Sequence, residues 1–109
     1  MKISEAAFQA QIKAIAYTYG WMTHHSQPSL TRTGRYITTG SAGFPDLVLA
    51  HVDKGFILAE IKTTIGRVSA QQVEWLKQCD PHVECYIWRP EDLPSIHERL
   101  ARNIDRRSG

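Results

Sequence analysis

Cysteine is scarce in this sequence. Cys79 and Cys85 are the only two, and that spacing makes neither a disulfide framework nor a four-ligand zinc site. Both read as ordinary apolar residues in a reducing compartment. Long apolar runs are also missing. Nothing approaches bilayer length, and no apolar stretch follows Met1, so no signal peptide is expected. The expectation is a cytoplasmic, intracellular protein with no membrane partner. Charge of one sign is lacking too: 13 Lys and Arg face 11 Asp and Glu, a net charge of +2. That balance admits a polyanionic partner without demanding one. The one basic cluster, Arg99, Arg102, Arg106 and Arg107, is diluted by Asp105 and reads as a solvated helix face with a frayed tail. Internal repeats and low-complexity segments are absent. The 109 residues, 42% hydrophobic and 22% charged, suit one globular domain spanning 1–109.

What is present is a succession of short, well-punctuated elements. Ser4 is a helix cap, Phe8, Ile12, Ile15 and Tyr19 recur at helical spacing, and Gly20 ends the run. The stretch from His24 to Ser41 is polar and carries Pro28, Gly34 and Gly40. It reads as a loop with one short strand at 35–39. "DLVLAHV" and "GFILAEIK" are strands about a turn at Asp53, Lys54 and Gly55, a hairpin signal. "VSAQQVEWLKQC" opens a helix with a capping box, Ser69 as cap and Gln72 three residues on. Its apolar face is Trp75, Leu76 and Cys79. "VECYIW" is a further strand, which the intervening helix allows to lie parallel to its predecessor. "PSIHERLARN" is a last helix with Pro94 in its first turn. The order predicts a small α/β layer fold.

One strand poses a chemical question. "LAEIKTT" looks buried, yet it carries Glu60 and Lys62, and charged side chains are rarely buried unless paired or bound. Residues two apart in a strand share a face, so these two point together while Ile61 points into the opposite layer. Asp46 starts the preceding strand just after Pro45, which cannot donate to a ladder and marks a strand start. In a hairpin turning at 53–55, the start of one strand lies beside the end of the other. Asp46 is therefore expected near Glu60 and Lys62. Two carboxylates are hard oxygen ligands suited to Mg²⁺ or Mn²⁺. Such an ion polarises a phosphodiester and lowers the pKa of a bound water, and a lysine beside it orients that water or offsets charge on phosphorus. The plainer alternative is a cross-strand ion pair of small energetic value.

These residues carry a resemblance. "GFPDLVLA" followed by "AEIK" resembles the Pro-Asp…Glu-x-Lys signature of restriction-endonuclease-like nucleases. "SEAAFQAQIKAIAYTYGW" is similar to the first helix of the VRR-Nuc (virus-type replication-repair nuclease) family, with Glu5 at its acidic position. "GSAGFPDLVL" and "EIKTTIGRVSAQQVEWL" resemble that family's glycine-rich approach to the first catalytic strand, its Glu-x-Lys strand, its Gly-Arg loop and its following helix. The likeness runs from about Ser4 to Trp88. It implies a restriction-endonuclease-like three-layer fold, a mixed central sheet of about four strands flanked by helices. It further implies a DNA endonuclease using Mg²⁺ or Mn²⁺, held by Asp46, Glu60 and the Ile61 carbonyl. Lys62 would activate the attacking water, and Glu5 and Gln72 would support the site. Gln72 precedes Trp75 by three and Leu76 by four, so it faces inward with them. Glu5 shares the face of Phe8, although a first-turn carboxylate also suits the helix dipole.

The family's short members resemble phage proteins acting as homodimers on branched DNA, including Holliday junctions, which implies a phage-encoded resolvase-like enzyme. The alternatives are a nuclease subunit acting on flap or duplex DNA with a partner protein, and a catalytically weak DNA-binding module. Around the site, Arg35 and Arg67 are candidate DNA-backbone contacts, with Arg32 and Tyr36 nearby. His24 and His25 are adjacent and do not share a strand face, so no zinc site is expected of them. Gly43 is read as a close backbone approach or an unusual φ. Trp21, Trp75 and Trp88 are read as core or interface.

Overall fold

The computed structural model describes residues 2–26, 28–30, 36–38 and 42–104, the two short segments by backbone alone. Ser4 caps the first helix, α1 (Glu5–Thr18), its Oγ accepting the Ala7 N–H at 3.1 Å. That satisfies one of the first-turn amides that have no partner within a helix. Phe8, Ile12, Ile15 and Ala16 form the buried stripe. Gly20, at φ 83°, then turns the chain, a conformation that a Cβ opposes. Trp21 follows into the core, its Nε1 donating to the Leu100 carbonyl at 2.8 Å.

A four-stranded mixed sheet forms the middle layer. Its strands are β1 (Met22–His25), β4 (Leu47–His51), β5 (Gly55–Ile61) and β6 (Glu84–Trp88), in that spatial order. β1 with β4 and β4 with β5 are antiparallel, and β5 with β6 is parallel. A separate two-stranded ladder joins β2 (Pro28–Leu30) to β3 (Tyr36–Thr38). The reading of 24–41 as a loop with one strand is therefore corrected. His24 and His25 belong to a sheet strand, and two further short strands pair with each other. β1 escaped notice because it is an edge strand whose first three residues are exposed. It has no buried side to impose an alternating pattern, and its order comes from the β4 ladder.

The two faces of the sheet differ in chemistry. Leu47, Leu49, Ile57, Ala59, Ile61 and Trp88 join Phe8 and Ile12 of α1 and Ile96 and Leu100 of α3 (Leu93–Ala101) in one buried cluster. The other face carries Leu58 and Glu60 and is covered by α2 (Ala70–Cys79). Ser69 and Gln72 make the expected reciprocal capping box. No α2 residue is fully buried, so Trp75, Leu76 and Cys79 make only a half-covered face. β5, α2 and the parallel β6 thus form the expected crossover. Trp21 and Trp88 are core, and Trp75 packs edge-on against Phe44 at 5.1 Å between ring centres.

Arg99 is a second correction. It is not on a solvated face but 6% exposed. Its guanidinium donates to Glu84 Oε1 at 2.8 Å and to the Lys54 carbonyl at 2.7 Å, and it stacks over Trp21 at 5.6 Å. Glu84 also accepts from the Tyr86 hydroxyl. This fork ties α3 to the starts of β5 and β6. Removing one member of a buried pair strands the other. Arg99→Ala is expected to cost about 3 kcal/mol in urea unfolding, the low end of that range because Glu84 stays partly solvated. Arg99→Lys should recover little, since an ammonium lacks the planar fork.

Candidate active site

The β4–β5 register pairs Leu47 with Ala59, so the residue before one and the residue after the other come together at the sheet's end. These are Asp46 and Glu60. Asp46 follows a buried proline, and its Oδ2 accepts the Ile61 N–H at 2.9 Å, just past the ladder. Its carbonyl accepts the Ser26 N–H at 3.0 Å, which draws in the end of β1. The approach to Asp46 is docked on α2. Gly43 has φ 86°, and a Cβ there would lie 2.7 Å from the backbone of Gln71. Both readings of this glycine hold, the unusual φ and the close approach.

Glu60 is 1% exposed, on the face turned toward α2. Its Oε2 accepts from Gln72 Nε2 at 2.7 Å and lies 3.8 Å from Lys62 Nζ. Gln72 Oε1 meanwhile accepts the Ser69 N–H at 2.8 Å, so Gln72 is helix cap and site residue at once. Glu60 Oε1 is buried and receives no N–H donor. Burial pushes the Glu60 carboxyl up to about 8, helped by a hydrogen bond shared with the Asp46 carboxyl, by the Asp46 charge and, more weakly, by Glu5, and opposed by Lys62. Glu5 itself is exposed in the first turn of α1 and acts on Glu60 through charge alone.

Asp46, Glu60, Ile61, Lys62 and Gln72 are thus brought together as their spacing suggested, with Glu5 at the margin. Arg67 is exposed on the loop after Lys62. Arg35 and Arg32 lie outside the described residues, as does the Tyr36 side chain. Two neighbours of the site were not foreseen. His25 feels the Asp46 carboxylate, but burial and Lys13 of α1 hold its imidazole below the ordinary value. Arg89 Nη1 donates to the Thr63 and Gly66 carbonyls at 2.7 and 2.8 Å, fixing the loop behind Lys62. An exposed strand and an isolated arginine carry no local signal for either role.

The donor set fits a hard divalent cation. Two carboxyl groups are pressed together with one of them buried, an arrangement whose repulsion a cation would relieve. No group of three or more His, Cys, Asp or Glu converges among the described residues. An ion here would complete its shell with backbone oxygen, water or substrate, as Mg²⁺ commonly does.

The raised Glu60 carboxyl has a thermodynamic consequence in chelator. It titrates near 4.5 unfolded and about 8 folded. Between those values the native state holds a proton that the unfolded state has lost, so this contribution to stability falls as pH rises. His25, held low, gives the opposite slope around 6.5. The expected outcome is that urea midpoints of the wild type fall relative to Glu60→Gln between about pH 5 and pH 8.

No curated protein and no solved structure matches the chain. The VRR-NUC domain does, over residues 22–89, a span that contains Asp46, Glu60, Lys62 and Gln72. With more than half of its length so matched, the chain belongs to the VRR-NUC domain family, a nuclease domain of the Pro-Asp…Glu-x-Lys type.

Proposed function

We propose that this protein is a metal-dependent endodeoxyribonuclease that hydrolyses phosphodiester bonds in branched DNA. The observation that carries the reading is the convergence of Asp46, Glu60 and Lys62 at one end of the sheet, the buried Glu60 carboxyl lying against Asp46 and 3.8 Å from the Lys62 ammonium. A structural ion pair needs one carboxylate, whereas here two carboxyl groups press on each other beside a single ammonium.

Asp46 and Glu60, with the Ile61 carbonyl, would hold Mg²⁺ or Mn²⁺. Such an ion, when bound, supplies Lewis acidity and an acidified water. Lys62 sits at the mouth of the pair, its side chain 14% exposed. From there its ammonium can orient the attacking water toward phosphorus and offset the charge that grows on the phosphoryl oxygens. Gln72, neutral and anchored on Ser69, holds the Glu60 carboxylate in one rotamer without adding charge. The Ile61 N–H does the same for Asp46. Arg67 and Arg35 are proposed contacts to the DNA backbone, which position a duplex without reading its sequence.

The homodimer belongs to this proposal. What supports it is an apolar groove of about 420 Å³ between α2 and the edge strand β6, lined in part by Val73, Leu76, Cys85 and Ile87. Val73 and Ile87 are 49% and 38% exposed. Lys77 and Asp80 flank the groove, and a two-fold axis would pair each with the other in the second copy. Val73→Glu is expected to halve the molar mass measured by light scattering.

The test is a cleavage assay on four-way junction, flap, duplex and single-stranded DNA in Mn²⁺, Mg²⁺ or chelator. Asp46→Asn, Glu60→Gln and Lys62→Ala should each lower the rate by at least about 10²-fold with circular dichroism unchanged. Gln72→Ala should lose about tenfold. Full activity in any two of the first three would sink the assignment. A preference for flap or duplex DNA would replace the junction reading.

A further inference from the structure

Ile65 is 73% exposed, on a loop that is otherwise held down. The Arg89 fork grips the Thr63 and Gly66 carbonyls. The Gly66 N–H closes a turn on the Thr63 carbonyl at 3.2 Å, and Thr64 Oγ1 meets Glu91 Oε1 at 3.1 Å. The loop also folds back on the catalytic lysine. A Cβ on Gly66 would stand 3.5 Å from Lys62 Cδ and 2.9 Å from Thr63 Oγ1. A backbone clamped this way holds the Ile65 side chain at a fixed, exposed position.

Beside Ile65 opens a cleft of about 430 Å³, lined also by Lys2, Ile3, Thr63, Thr64 and Pro90. Its size is that of a small-ligand pocket. Ile3 packs against the core, so this wall is fixed. Lys2 lines the opening, and Lys62 and the exposed Arg67 flank the Thr63–Gly66 loop that forms its other wall. The nearby Glu91 carboxylate is engaged by Thr64.

We propose that this cleft receives one unstacked nucleobase of the DNA, displaced by Ile65 while the neighbouring phosphate occupies the Asp46–Glu60–Lys62 site. The proposal rests on the nuclease reading above. A nucleotide joins an apolar-faced ring to an anion, and here an aliphatic slot with two hydroxyls adjoins cations next to the catalytic lysine. Apolar wedges pushed between base steps unstack them. Extrusion costs least where pairing is already interrupted. The cleft therefore favours branched or unpaired DNA over continuous duplex, giving a local reason for substrate choice.

The test uses the full chain and a four-way junction carrying 2-aminopurine at successive positions around the mapped cut, with binding followed in Ca²⁺ and cleavage in Mn²⁺. With wild type, fluorescence is expected to rise at one position. Ile65→Ala should abolish that rise and slow cleavage about tenfold, the scale of one buried aliphatic side chain. On a junction abasic at that position, wild type and variant should cut at equal rates. If Ile65→Ala matches wild type in fluorescence and rate while Lys62→Ala is inactive, the cleft is overturned and the nuclease reading stands. A changed molar mass of Ile65→Ala also overturns it, because Ile65 would then cover a second copy. A wild type that cuts no DNA overturns the nuclease reading, and this proposal with it.

Discussion

Everything at the site depends on the register of one hairpin. Because Leu47 faces Ala59, the first residue outside β4 meets the next-to-last residue of β5, and two carboxylates converge. A slip of one residue would turn Glu60 into the α1–α3 core and Ile61 toward α2, since side chains alternate strictly along a strand. The register is held by apolar alternation: Leu47 and Leu49 against Ala59 and Ile57, all buried on one face. The polar site is thus positioned by the apolar core beneath it. The Asp46 bond to the Ile61 N–H then extends the pairing one step beyond the ladder.

Among the described residues two charged side chains are buried, and they are treated in opposite ways. Arg99 is surrounded by acceptors from Glu84, Lys54 and Arg102. Glu60 has a neutral amide, a more distant ammonium and another carboxyl group pressed against it. The first arrangement is complete and serves stability. The second leaves two carboxyl groups crowded beside one ammonium, and a perturbed pair of this kind is what marks it as the candidate site. They sit at opposite ends of β5, one near Gly55 and the other at Ile61.

Much of this was legible because the relevant signals are local. Ser4, Gly20, Ser69 and Gln72 punctuate helices within three or four residues of what they act on. Asp46, Glu60 and Lys62 became neighbours by one hairpin argument. Failures came where the partner is remote or the pattern is empty. Arg99 reads as one more basic residue of a basic tail because Glu84 lies fifteen positions earlier in another element. β1 is too short and too exposed to alternate. Arg89 gives no sign in its own vicinity that it grips a loop more than twenty residues earlier.

Gln72 shows how a dual assignment narrows chemistry. As a cap residue it needs only an acceptor for the Ser69 N–H, and a glutamate supplies that as well as a glutamine does. Facing Glu60, it must also donate. The amide is the group that does both while remaining uncharged. A glutamate here would keep the helix and place a further carboxylate against the crowded Asp46–Glu60 pair, so a substitution conservative for the helix would be the reverse for the site. The tolerance of this position is set by the stricter of its two duties, which a helix-propensity scale does not register.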